Sequence, residues 1–403
     1  MLTHARIVLS RSLTVAIGAV AVAVVSAPVH AIDQEHYTKA RTMIDRAVAY
    51  LRSQQDEKTG GWAVNPQGPN FPAITGLVVS GLIAEPTIDA NDPAVQRGVE
   101  YMLSFRQPDG GIYDRVLPSY NTAMCLSALA KVNRPEAAAA IEPAINFLRS
   151  LQWSEEAMEG STETQRVTKD HPFYGGIGYG SGGRPDNSNL TFFVQAMHDA
   201  GLSCDDPAYQ RALVFLTRTQ MDDRVNDMPY AKGSRQGGFI YATSPDKDHV
   251  GAGESKGGEI EETLDDGTKI SRLRAYGSMT YAAFKSLIYA NLDRDDQRVR
   301  SAYNWIRSNY TLEENPGVGT DGYYYYLISF SRALNAWGGA NITPLQADGT
   351  AAAARDWQND LVDALAKMQN EDGSFKSIDD RWMENNPVLI TAYSLIALQN
   401  ALP

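Results

Sequence analysis

Cysteine is scarce: Cys125 and Cys204 are the only two in 403 residues. Two thiols cannot staple a chain of this size, so its core must be held by burial. Cys125 falls in the apolar run 121–132 and Cys204 behind a different one, so a bridge between them would have to join two separate repeats. Basic charge is short as well, with 36 Lys and Arg against 48 Asp and Glu and a net charge of −12. Such a surface repels phosphate backbones and anionic headgroups, which excludes nucleic-acid binding as a main role. Low-complexity tracts are missing, and past residue 27 no apolar run is long enough to cross a membrane.

The N-terminus reads as a leader. His4, Arg6 and Arg11 form a short basic head, an apolar stretch fills 13–27, and Val29-His30-Ala31 offers a small-x-small cleavage site. That order is the secretory pattern, and the stretch is short for a span. Residues 1–31 are therefore expected to be a signal peptide removed after Ala31. The mature chain would begin at Ile32, have no transmembrane segment and be periplasmic or secreted. Losing two arginines and no acid moves the net charge from −12 to −14.

What the chain has in abundance is self-similarity. A helix with one apolar stripe ends near a Gln. A glycine-bearing turn with an aromatic follows, then a helix that is apolar nearly all round. The copies centre on Gln54-Gln55 with Gly60-Gly61-Trp62, Gln107 with Asp109-Gly110-Gly111-Ile112-Tyr113, and Gln152 with Gly175-Gly176-Ile177-Gly178-Tyr179. The later three centre on Gln220 with Gly237-Gly238-Phe239, on Asp321-Gly322-Tyr323, and on Gln369 with Asp372-Gly373-Ser374-Phe375. A striped helix covers a core and faces water, whereas an all-apolar one is buried on both sides. Asn91-Asp92-Pro93, Asp205-Asp206-Pro207 and Asp295-Asp296-Gln297 read as caps of the striped helices. The pattern predicts an all-α fold, an α/α toroid of about six helix hairpins forming a single domain over 32–403. Small inner residues such as Gly76, Gly81, Ala123 and Ala282 suit a crowded inner ring. An open solenoid is the competing arrangement, but it would want a polar last repeat, and 388–402 is apolar.

These Gln and Asp-Gly-Gly-aromatic turns resemble the repeats of the prenyltransferase and squalene-oxidocyclase superfamily over nearly all of 35–403. Two stretches are similar to an exported bacterial branch of unassigned activity: Tyr276-Gly277-Ser278-Met279-Thr280-Tyr281, and Asn315-Pro316-Gly317-Val318-Gly319 with the tyrosine run 323–326. The resemblance implies the terpenoid-cyclase fold more firmly than any chemistry. Squalene cyclases begin with a protonated Asp in an Asp-x-Asp-Asp motif. Asp293-Arg294-Asp295-Asp296 matches it letter for letter but stands where the other repeats carry caps, so a cap is expected. Ser377-Ile378-Asp379-Asp380, on a turn leading into an inner helix, lacks the first Asp. The zinc set of protein prenyltransferases is an Asp, a Cys two residues on, and a His on a later inner helix. Neither cysteine here has that Asp, and His198 is the single inner-helix histidine, so no metal or other cofactor is expected. Complement-like thioester domains share the ring, but their thioester run has no counterpart in Ala123-Met124-Cys125-Leu126-Ser127.

If the inner helices run parallel, their N-termini open on one mouth, where partial positive charge suits polar or anionic groups. The candidate ligand-binding residues are those that enter these helices: Tyr120, Asn121, Arg184, Asn187, Tyr276, Ser278, Asp321, Tyr324, Trp382 and Asn386, with Asn189, Tyr323 and Asn385 beside them. Each also reads as a cap or a repeat aromatic. Asp186 is the candidate catalytic residue, as an acid raised in pKa by burial or a ligand anchor paired with Arg184; as a cap of the third inner helix it would be structural. The insertion at about 242–274 reads as a lid, or as a surface loop or small β-hairpin. It carries an acidic run, 259–266, and Arg272 and Arg274 are expected to approach the mouth. The expected function is an exported protein that binds or transforms an apolar or amphipathic isoprenoid or lipid in a central cavity. The alternatives are a carbohydrate-active enzyme pairing Asp186 with Asp321 or Asp379, and a non-catalytic interaction scaffold with a filled centre.

Overall fold

The computed structural model describes residues 32–156, 165–264 and 266–403. The expected leader 1–31, and Asp265 of the acidic run, lie outside the described residues. Outer helices are α1 (Gln34–Ser53), α3 (Pro93–Leu103), α5 (Pro135–Ser150), α7 (Pro207–Thr219), α9 (Gln297–Ser308) and α11 (Trp357–Ala366). Inner helices are α2 (Pro72–Ile83), α4 (Pro118–Leu129), α6 (Asn187–Asp199), α8 (Gly277–Tyr289), α10 (Tyr323–Trp337) and α12 (Pro387–Ala401). Each inner helix packs on the next, and α12 packs on α2. That last contact closes the ring, so the chain is an α/α toroid and not an open solenoid. It also explains the apolar C-terminus, since α12 lies between α10, α2 and the outer helices α1 and α11.

Burial follows the two sequence patterns. Every residue of α2 except its last is buried, whereas α9 buries only Val299, Ser301, Ala302, Trp305 and Ile306 along one stripe. Asp92, Asp206 and Asp296 accept first-turn N–H groups of α3, α7 and α9, a device that stabilises a helix by about 1 kcal/mol each. Asp296 therefore caps α9, and the literal Asp-x-Asp-Asp match is a helix start. Cys125 and Cys204 are both free thiols.

The repeat signature is a device for joining one hairpin to the next. Gln55 donates to Gly60 O in its own turn and to Ala94 O in the following outer helix. Gln152 does the same with Gly175 and Ala208, and Gln220 with Gly237 and Arg298. Gln369 bonds Gly373 O and Met43 O, which ties the last repeat back to the first. Each turn glycine has positive φ and lies against a carbonyl of the next outer helix. A Cβ on Gly373 would stand 2.2 Å from Arg46 O and one on Gly237 2.5 Å from Ser301 O, so any side chain would force the hairpins apart. Threonines on inner helices complete the joint: Thr75, Thr122 and Thr280 accept from the backbone N–H of Trp62, Ile112 and Phe239.

In the second repeat the Gln107 side chain donates within its own hairpin, to Phe105 O and Tyr113 O, and the fifth repeat departs from the rule further. It has no Gln at the joint, and a Cβ on Gly322 would meet the Trp382 ring at 2.7 Å and not an outer helix. Asn315 instead reaches back to the start of α8, accepting from Ser278 N at 2.9 Å. The insertion folds partly into an antiparallel hairpin of β1 (Glu259–Thr263) and β2 (Lys269–Leu273). A second, two-residue pair, β3 (Asn341–Ile342) and β4 (Arg355–Asp356), precedes α11. No helix among the described residues is long and apolar enough to cross a membrane.

Candidate functional site

The starts of all six inner helices meet around one cavity of about 280 Å³. Its wall is mainly aromatic and aliphatic. Tyr120, Tyr179, Tyr241, Tyr276, Tyr325 and Tyr393 supply rings, and Phe71, Ile74, Phe192, Met279 and Leu389 fill between them. The rings brace one another: Tyr120 packs edge-on to Phe192 at 5.1 Å, and its hydroxyl lies 3.4 Å from that of Tyr393. Burial pushes the Tyr120 phenol up to about 12, so it stays protonated at neutral pH.

Three wall residues hold left-handed backbone without being glycine: Leu117, Trp382 and Met383, with φ of +48°, +53° and +67°. Such conformations cost of order 1–3 kcal/mol each and persist where the surroundings impose them. The 381–386 segment is pinned by an ion pair between Arg381 and Asp321, by stacking of Arg381 over Trp382, and by the Trp382 ring on Gly322. Trp382 and Met383 remain partly exposed at the mouth, and the segment forms a strap across it.

Glu384, at the inner side of that strap, is the single carboxyl among the described residues of the wall. It is fully buried and accepts from Tyr325 N at 2.8 Å and Tyr324 N at 3.1 Å, which caps α10 from a distance of sixty residues. Burial raises its pKa to about 7 against the pull of those two N–H groups. Asp186 stands behind the wall. It caps α6 by accepting from Asn189 N and Asn189 Nδ2, both at 2.9 Å, and Asn189 lines the cavity. Burial raises Asp186 to about 6, opposed by Asn189, Arg184 and Tyr241.

Of the sequence candidates, Tyr120, Asn189, Tyr276, Ser278 and Trp382 line the cavity. The rest do other work. Asn121 accepts from Ala73 N and donates to Val116 O, joining α4 to the start of α2. Asn187 donates to Thr219 Oγ1 and Ile240 O. Asn386 caps α12 through Val388 N and Leu389 N. The Tyr324 hydroxyl is spent on Lys376 O, and Asp321 on Arg381. Arg184 is not the partner of Asp186: it pairs with Glu254 at 2.6 Å and bonds Ser244 O, because the insertion brings Glu254 to it. Arg272 bonds Lys232 O, and Arg274 lines a separate cleft with Arg224 and Arg235, so neither reaches the mouth. Asp379 accepts from Arg381 N, and Asp321 pairs with the same arginine at the strap, whereas Asp186 caps α6. Among the described residues no group of three or more His, Cys, Asp or Glu side chains is placed to hold a metal ion.

Glu384, Tyr179, Tyr241, Tyr325 and Tyr393 are wall residues that the pattern of helix starts does not reveal. Tyr325 lies in the first turn of α10 and Tyr393 in the second turn of α12, and Glu384 gains its role from the fold of the strap. The C-terminal domain family of squalene-hopene cyclase matches residues 69–243, three of whose wall tyrosines belong to this cavity. Over those residues the chain is similar to that family, which supports a squalene-cyclase/prenyltransferase-like assignment.

Solved structures agree on the ring of this squalene-cyclase-like protein. A substituted form of the type II terpene cyclase MstE from Scytonema, in complex with geranylgeranyl dihydroxybenzoate, is similar over 92% of this chain and 99% of its own, with a TM-score of 0.52 and 14% identity. A family 76 glycoside hydrolase from a bovine Bacteroides thetaiotaomicron strain is similar over 92% and 78%, with a TM-score of 0.55 and 10% identity. At these identities the likeness shows the fold and does not carry chemistry. A comparison with curated protein sequences returns no match.

Proposed function

We propose that this protein holds an apolar or amphipathic small molecule, isoprenoid or lipid in class, in the cavity at the helix N-termini. The observation that carries the reading is the wall itself: tyrosine rings and aliphatic side chains contributed by all six inner helices around about 280 Å³, with one carboxyl, Glu384, that burial raises to about 7. A wall of that kind gains from excluding water and offers few fixed charges to a sugar. An isoprenoid would meet a proton donor in Glu384 and π faces able to stabilise positive charge. The reading includes export, on the strength of the leader-like sequence of residues 1–31.

The test is mass spectrometry of organic and aqueous extracts of the protein purified from its host, with Tyr276→Ala and Tyr393→Ala variants alongside. A stoichiometric apolar compound, lost in the variants, is the expected result. A co-purifying oligosaccharide would transfer the case to glycan chemistry, and empty protein in every form would turn it to an interaction scaffold.

A further inference from the structure

A second charged centre lies at the opposite end of the bore. Lys131, just past α4, Asp199 of α6, Lys285 of α8 and Arg332 of α10 interact electrostatically with one another. Side chains from four successive inner helices meet only inside the ring, and all four sit toward the helix C-termini. Lys131 Nζ lies 3.3 Å from Asp199 Oδ2. Lys285 is buried, donates to Gln195 Oε1 at 2.6 Å and lies 5.3 Å over the Tyr289 ring. Arg332 faces Asp199 through space and has no hydrogen-bond partner among the described residues. Three basic side chains thus share one carboxylate. Glu85, a buried acid that follows α2, is already taken by Arg41 at 2.7 Å and by Gln399.

Structural neutrality would call for a second anion. The negative ends of the inner helices offset part of the excess, but that field fades beyond the last turn, and Lys285 sits a full turn inside α8. Burial holds both lysines below the ordinary range, so the excess charge is costly as it stands. The centre opens on a cleft of about 480 Å³ lined by Arg332, Asn291, Asn335, Asn400, Tyr289 and His198. His198 is stacked flat on Tyr289 at 3.7 Å, which fixes the position of its ring. A guanidinium without a partner, ringed by amide N–H donors, suits oxygen anions.

We propose that this cleft binds an oxyanion, the phosphate or carboxylate group of a small molecule, with Arg332 as its principal partner and the Asn291, Asn335 and Asn400 amides completing its hydrogen bonds. The site is independent of the aromatic cavity and does not rest on the reading of that cavity.

The experiment titrates inorganic phosphate and acetate separately into the purified protein at constant ionic strength set with chloride. Thermal unfolding reports binding by mass action, and ³¹P line width reports phosphate directly. The expected result is a midpoint that rises with phosphate or acetate and not with chloride; the more effective anion tells which group the cleft prefers. Arg332→Gln should weaken binding about tenfold or more, Arg332→Lys less, and the exposed Lys247→Gln not at all. Equal effects of all three salts, or undiminished binding in a folded Arg332→Gln, would overturn the proposal. If Arg332→Gln does not fold, Lys131→Gln, the charged neighbour of Arg332 behind the cleft, serves: a loss of roughly tenfold supports the site, and unchanged binding counts against it.

Discussion

At one end of the bore Glu384 and Asp186 accept N–H groups at the starts of α10 and α6, yet burial moves both toward the neutral form. At the other end Asp199 is partly buried, but His198, Lys131 and Arg332 hold it well below the ordinary carboxylate range. The same six helices frame both ends. A helix N-terminus favours a carboxylate by a fraction of a kcal/mol to about 2 kcal/mol, which desolvation can exceed. A full cation within a few ångströms reverses the balance. Neighbouring formal charge, more than helix direction, sets the chemistry of each end.

The contrast can be broken most severely at Asp199. Asp199→Asn leaves three cations without their carboxylate and should cost about 3–5 kcal/mol in urea unfolding at neutral pH. A loss under 1 kcal/mol would mean that the cations are solvated and the cluster is looser than described. The next largest effect is a slope in pH. The folded pKa of Glu384 lies above its ordinary value, so stability is full below about 4.5 and is lost as pH rises through about 7, by roughly 3 kcal/mol in all. Glu384→Gln should flatten that slope. Asp199, depressed in the fold, acts in the other direction and loses stability only as pH falls below about 3.8. The two ends should thus titrate in separate windows.

Lys285→Met should stabilise the protein by about 1–3 kcal/mol, because an apolar side chain of similar length replaces a buried ammonium. A loss of stability would show that the Gln195 hydrogen bond outweighs desolvation. Trp382→Ala sharpens the comparison at the mouth. Its ring is 44% exposed, so unfolding free energy should change by about 0.5 kcal/mol or less. Retention of a bound apolar ligand should fall, as read by extract mass spectrometry. An unchanged ligand content would detach the strap from binding.

The repeats were legible because they impose local chemistry. The Gln and positive-φ glycine of each joint recur at matching places in five of the hairpins. Asp-Asp-Pro cap signals likewise marked the outer helices, and Asp296 of the literal Asp-x-Asp-Asp match does cap α9. The cavity was legible only in outline. Helix starts pointed to the end of the ring where this cavity lies but could not separate Tyr276, which turns inward, from Tyr324, whose hydroxyl is claimed by Lys376 O.

The sequence by itself determined the hairpin count, the alternation of outer and inner helices and the joints between them, because each depends on side-chain periodicity or backbone freedom within a few residues. Only the tertiary structure decided which polar groups meet. Glu384 reaches α10 from a neighbouring repeat, Glu254 draws Arg184 away from Asp186, and four helices bring Lys131, Asp199, Lys285 and Arg332 into one bore. Those pairings depend on ring closure, which sets distances between residues far apart in the chain, and on burial, which then decides the charge each one keeps.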